Sequence, residues 1–181
     1  MNVFAVGNEA VCAEAASKIR APLRFEGVGY YDAAPEKMFA AISEPELMSK
    51  WLPMLKSLHL SHAASDNGPA SCGIGSERSC SFSMMGDVFE RVIWWDPPRG
   101  YAFSFQPKNR VMMPTRDHSV VFLVRPHGNG GSEFVFRTYF NWQPGPMRFV
   151  AAHMMPMILN MSLANLKRLL GGKGGKARRV A

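Results

Sequence analysis

Apolar residues recur along this chain in two rhythms. In "LRFEGVGYY", "LKSLHLS", "GIGSERSCSFS", "MMGDVFERVIWW", "GYAFSF", "SVVFLVRP" and "SEFVFRTYFNW" they alternate or run together over short stretches, with Gly, Pro or Asn between them. That is the pattern of β-strands, and short strands joined by tight turns predict an antiparallel meander. Elsewhere the spacing is three and four. Met38, Phe39 and Ile42 form one apolar face after Pro35, and Leu47, Trp51 and Leu52 form another after Pro45. These predict two short helices near residues 35–42 and 45–52, with Asp32 in the cap region of the first and a Ser43–Glu46 capping box on the second. Met147, Val150, Met154, Ile158 and Met161 step through a long helix from Pro146 to Leu170, with Pro156 as a kink point and Gly171-Gly172 as its end.

The first 22 residues stand apart. An Ala-rich stretch from Glu9 to Arg20, with Asn8 as its cap, predicts a short appended helix or disorder there. Residues 23–170 then form one domain, and 171–181 a basic tail read as flexible because four glycines interrupt it. Charge is uneven: residues 134–181 carry eight bases and no acid, within a net charge of +7. Such a tail suits weak contact with a membrane surface or an acidic partner. No nucleic-acid motif accompanies it, so no specific nucleic-acid partner is expected. Cys12, Cys72 and Cys80 lack metal-ligand spacing and are odd in number, which argues against a disulfide framework and for a cytoplasmic protein. The five histidines show no metal spacing either, so no metal or cofactor is expected.

Strand alternation sorts the chemistry onto faces. Ile74, Ser76, Arg78, Cys80 and Phe82 share one face of their strand. On the next strand Val88, Glu90, Val92 and Trp94 share a face, and Phe89, Arg91, Ile93 and Trp95 the other; both faces are mixed. Glu90 lies between valines, and an unpaired buried charge costs several kcal/mol. An inward Arg78–Glu90 pair with Arg91 outward is therefore the economical reading. Further inward candidates are Tyr101, Phe103 and Phe105, then Phe134, Phe136, Thr138 and Phe140, with one register slip reversing the last set. Trp51, His153, Met154, Met157 and Met161 add helical candidates, since methionine suits an adaptable apolar site. His118 reads first as a surface histidine at a strand end; the alternative is a general acid or base at a cavity mouth.

The order strand, two short helices, about six strands, long helix resembles the helix-grip fold of the START-related SRPBCC superfamily, which includes polyketide cyclase/dehydrase-like proteins. The resemblance runs from about Leu23 to Leu170. It rests on "YYDAAPEKMFAAISEPELMSKWLP", the Gly-x-Gly-x-x-Arg stretch "GIGSERSCSF", the hairpin "GDVFERVIWWDPPRGYAFSF" and the closing "LANLKRLL". It implies an α+β fold in which a curved antiparallel sheet wraps around the C-terminal helix, with a cavity for apolar ligands between them.

The family's aromatase/cyclases carry Ser-x-Arg on the corresponding strand, which Ser76-Glu77-Arg78 matches. The resemblance therefore implies one of two roles, in a monomer or homodimer. The first is binding of a hydrophobic small molecule such as a lipid, quinone or polyketide-like aromatic. The second is a cofactor-free cyclase, aromatase or dehydratase using Ser76, Arg78 and Glu90. The plainer account of Arg78 and Glu90 is a charge pair that ties two strands. A third role, through the basic tail, is docking on a membrane surface.

Overall fold

A computed structural model describes residues 13–62, 72–83, 86–108 and 114–180. The Asn8 cap, Val11, Cys12 and the loop at 63–71 lie outside the described residues. Residues 13–17 belong to a helix, α1. Next come β1 (Leu23–Tyr31), α2 (Pro35–Ser43), α3 (Pro45–Trp51) and the strand run β2 (Leu55–His62), β3 (Glu77–Phe82), β4 (Gly86–Asp96), β5 (Gly100–Pro107), β6 (Thr115–His127) and β7 (Gly131–Trp142). The long helix α4 (Met147–Leu170) and a last strand, β8 (Gly174–Arg179), follow.

All eight strands form one sheet in the order β2-β3-β4-β5-β6-β7-β1-β8, with antiparallel neighbours throughout. β2 to β7 are sequential neighbours, with short turns at 97–99 and 128–130 joining β4 to β5 and β6 to β7. Proline opens both short helices, where its missing N–H costs nothing. The Ser43–Glu46 capping box does not form. Ser43 Oγ instead donates to Phe39 O at 2.7 Å, because the two helices nearly abut and Ser43 belongs to the last turn of α2.

The apolar inner face of the sheet meets α2, α3 and the second half of α4. Phe25, Trp51, Tyr101, Phe103, Phe122, Phe134, Phe136, Leu159, Leu163 and Leu166 share this core. Gly27 of β1 is there for close approach: a Cβ on it would lie 3.0 Å from Leu163 Cδ1. A second cluster covers the outer face, where Ala15 and Ala21 pack on Trp94, Ala102, Val121 and Tyr139.

Within the stretch read as a flexible tail, residues 171–180 fold back onto the sheet. Gly171, Gly172 and Gly174 adopt positive φ (76°, 94° and 75°) and turn the chain back on itself. β8 then pairs with β1 from Phe25↔Arg179 to Tyr30↔Gly174. Two side-chain ties hold it. Asn160 of α4 accepts from Ala177 N at 2.8 Å. Glu26 of β1 is gripped by Arg137 at 2.7 Å and by Arg178 of β8 at 2.8 Å. Burial alone would raise the Glu26 carboxyl pKa, but hydrogen bonds from Arg178 and Arg137 outweigh that and hold it below the usual glutamate value. The glycines thus supply a turn and an edge strand rather than a linker.

Candidate functional site

Among the described residues, the inner face buries an ion pair at one place. Arg78 and Glu90 stand directly opposite in the β3–β4 register, and Arg78 Nη2 donates to Glu90 Oε2 at 2.6 Å. Glu90 therefore points in and Arg91 is exposed. Arg78 is 0% exposed and Glu90 2%. The guanidinium carbon lies 5.3 Å from the Tyr101 ring centre and 5.1 Å from that of Phe103, within cation–π range. Arg78 Nη1 reaches Met48 Sδ of α3 at 3.5 Å. Burial pulls the Arg78 pKa down, but the Glu90 carboxylate more than restores it, so the guanidinium stays charged. The Tyr101 hydroxyl donates to Ile42 O and Trp51 Nε1 donates to Ala41 O, which locks α2 and α3 over this site. Trp51 meets the rings of Phe122, Phe134 and Phe136 edge-on. Ring packing fills the space here.

Ser76 lies before β3, not on it. Its hydroxyl accepts from Gly73 N at 2.9 Å and closes a turn whose backbone docks on Val92 of β4. Cys80 is buried, and burial followed by the neighbouring Glu90 pushes its thiol pKa up. Cys72 and Cys80 are unpaired thiols.

Several sequence-derived candidates face elsewhere. A register shift between Val92 and Trp94 puts an extra residue into β4. Beyond such a bulge the alternation reverses: Trp94 joins the outer cluster with Ala15, while Trp95 turns in against Phe39 and Tyr101. Val92 keeps its inward position and is buried. On α4 the inward side holds Met155, Leu159, Leu163 and Leu166. Met157 (53% exposed) and Met161 (46%) face solvent, Met154 shares their side by helical spacing, and His153 is exposed. The helix is apolar around most of its circumference, so its periodicity does not reveal which side packs.

Across Phe105 in the same cross-strand row, the inner face holds different chemistry. His118 lies between the rings of Phe105 and Phe140, each 5.1 Å away, and is 9% exposed. A register shift between Arg116 and Ser119 marks a bulge at Asp117, whose φ is 53°. It places Thr115 beside His118, with Thr115 Oγ1 at 3.5 Å from His118 Nδ1. Among the described residues His118 Nε2 has no hydrogen-bond partner, nor have Arg78 Nε and the buried Thr138 Oγ1 on β7. Burial lowers the His118 pKa to about 4, so the ring is neutral near pH 7.

His118, Thr115 and Phe105 border a groove of about 1090 Å³ that reaches round to the outer side of the sheet, where Ile19, Arg20, Ser104 and Ser119 line it. A smaller cavity of about 380 Å³ lies at the opposite end of the sheet, bordered by Tyr30, Asp32, His127 and Lys173. Arg78, Glu90 and Ser76 border neither. Among the described residues no three His, Cys, Asp or Glu side chains gather as metal ligands.

His118 was legible as an alternative only. The signal for it was the alternation of His118, Val120 and Phe122 into an apolar strand, and the bulge one residue earlier obscured it.

The fold recurs in solved structures. A conserved protein from Geobacillus kaustophilus superposes with a TM-score of 0.63 at 11% identity, covering 85% of this chain and 99% of its own. The Bacillus cereus protein XoxI gives 0.62 at 16% identity, covering 80% and 93%. A START superfamily protein from Mycobacterium smegmatis gives 0.58 at 15% identity, covering 81% and 99%. Comparison with curated protein sequences found no match. The model of the family described as "Polyketide cyclase / dehydrase and lipid transport" matches residues 23–171, from the start of β1 to the end of α4. With the eight-stranded sheet closed around that helix, the chain belongs to this family of the START-related SRPBCC superfamily.

Proposed function

We propose that the protein binds a hydrophobic small molecule with one or two polar groups, such as a lipid, a quinone or a polyketide-like aromatic, at the His118 site of the grip. The observation that carries this reading is His118 itself: a buried neutral imidazole between two phenylalanines, beside a groove, with Nε2 unspent. Leaving a buried polar atom unpaired costs about 1–3 kcal/mol. A ligand hydroxyl or carbonyl that reaches Nε2 or Thr138 Oγ1 would recover that energy, and the rings of Phe105, Phe140 and Trp142 would take the apolar body.

Catalysis as a cyclase, aromatase or dehydratase draws less support. Arg78 and Glu90 neutralise each other under Tyr101 and Phe103, and Ser76 closes a turn. A general base works best with a pKa near the operating pH, and His118 at about 4 is a weak one.

Native mass spectrometry of the purified full chain tests the binding reading, followed by titration of whatever co-purifies into the stripped protein. Retention of a small apolar molecule by the parent, with affinity reduced at least tenfold in His118→Phe, is the expected result. A parent chain that carries and rebinds nothing, or a ligand indifferent to His118→Phe, would sink it.

A further inference from the structure

α4 is packed on one side only. Leu159, Ser162, Leu163 and Leu166 are its fully buried residues, all in the second half. The opposite side is apolar too: positions 147, 150, 154, 157, 161, 164 and 168 follow one another by three or four and read Met, Val, Met, Met, Met, Ala, Arg. Met147, Val150, Met157 and Met161 are 46–53% exposed, and Phe149 beside them is 60% exposed. Solvent-facing helix surfaces are normally polar, and a contiguous exposed apolar stripe marks an interaction site.

The charges around the stripe select its partner. α4 carries Arg148, Lys167 and Arg168, and no acid occurs after Glu133. Two copies of this helix laid side by side would bring base against base with no carboxylate between them. A surface both apolar and anionic fits instead. α4 is long and apolar enough to cross a bilayer by length and composition. Its inner side is committed, however: Leu163 lies on Gly27, Asn160 holds Ala177 and Asn165 Nδ2 donates to Trp51 O at 3.2 Å. The helix can therefore lie in the interface and not span it.

We infer that the outer stripe of α4 docks the protein on the surface of an anionic lipid bilayer, with Met147, Phe149, Val150, Met157 and Met161 entering the headgroup–acyl boundary and Arg148 and Arg168 meeting the lipid phosphates. The contact belongs to the helix, not to a mobile tail, since β8 is bound into the sheet. It is independent of what the inner face binds.

Flotation of the full chain with vesicles tests it, using pure phosphatidylcholine against phosphatidylcholine containing 30% phosphatidylglycerol. The parent should partition at least tenfold more onto the anionic vesicles, and less so at high salt. Met157→Glu with Met161→Glu changes only exposed positions, so the melting temperature should hold while partitioning falls at least tenfold. Arg148→Gln with Arg168→Gln should lose about 25-fold, at roughly fivefold per base, and lose most of the salt dependence. Two outcomes overturn the inference: equal flotation of the Met157→Glu, Met161→Glu protein, or a parent that ignores both vesicles yet forms a dimer that this same variant dissociates.

Discussion

Two neighbouring sites on the gripped inner face, either side of Phe105, bury polar groups to opposite effect. On one side Arg78 and Glu90 cancel each other's charge at 2.6 Å, with Tyr101, Phe103 and Met48 closed around them, although Arg78 Nε has no partner among the described residues. On the other side His118 is nearly as buried and its Nε2 is also without a partner among the described residues, but its ring is neutral and borders a groove. The same sheet supplies both faces, and comparable aromatic residues surround both. What differs is charge and access: Arg78 is enclosed with its counter-charge, while the neutral His118 ring borders a groove. A pair that ties β3 to β4 uses its charge on itself. A site meant for a ligand keeps a polar atom for it and lies beside a groove.

Breaking the ionic site should give the largest effect. Replacing Glu90 by Gln leaves Arg78 charged and uncompensated, which typically costs about 3–5 kcal/mol. Arg78→Met with Glu90→Leu removes both charges at similar volume and should cost less than either single change. Urea denaturation of the parent, Arg78→Met, Glu90→Leu and their double variant reads this directly. Simple additivity of the single changes would mean that the two residues do not interact and that the comparison of the two sites is misdrawn.

How far these two sites were legible in the sequence depended on whether the strand kept its alternation. Arg78 and Glu90 were readable because β3 and the first part of β4 alternate without a break between two hairpin turns. The helix-grip order was readable for the same reason, with proline marking both short helices. Trp94 was not, because the extra residue near Ile93 inverts the face of everything beyond it, and a bulge of that kind leaves no mark in composition. His118 was obscured by the bulge at Asp117. Met154, Met157, Met161 and His153 were misplaced by an apolar helix whose two sides look alike. β8 was hidden because glycines serve a flexible linker and a tight turn equally, and only its pairing with Glu26 and β1 decides between them.

Acid should separate the sites next. His118 has a folded value of about 4 against an ordinary value of 6.5. The unfolded chain therefore takes up the proton first as pH falls. The stability linked to this group is fully present above about pH 6.5 and is lost as pH falls towards 4, at about 1.4 kcal/mol per unit and about 3 kcal/mol over the window. His118→Phe should abolish that slope. At pH 7.5 the same change should leave stability within about 1 kcal/mol of the parent or raise it, since an unpaired polar atom is removed. Denaturation midpoints of both proteins from pH 7.5 to 4.5 check it. A parent slope that survives His118→Phe would assign the acid sensitivity elsewhere and erase the contrast with the ionic site.

The smallest effect sharpens the comparison from outside the grip. Glu26 makes the same kind of pair as Glu90, with Arg137 and Arg178, but on the outer face where the Arg178 side chain is 75% exposed. Water already solvates that guanidinium and reaches Arg137 in part, at 24% exposed, so losing Glu26 strands less charge than losing Glu90 does at the fully buried Arg78. Glu26→Gln should therefore cost no more than about 1 kcal/mol, against several for Glu90→Gln. Its effect should be local. Amide exchange in β8, at Lys176 to Arg179, should speed up by about fivefold for a loss of that size, while α4 and β3 stay protected. The sign with pH follows from the lowered Glu26 value. The tie is at full strength above the ordinary glutamate pKa and weakens as pH falls through the lower folded one, so β8 should loosen in acid in the parent and show no such change in Glu26→Gln. Hydrogen exchange read by mass spectrometry resolves both. If Glu26→Gln destabilised the whole fold as much as Glu90→Gln, burial would not be what makes the inner pair costly. The inner pair's several kcal/mol would then belong to ion pairing wherever it occurs in this sheet.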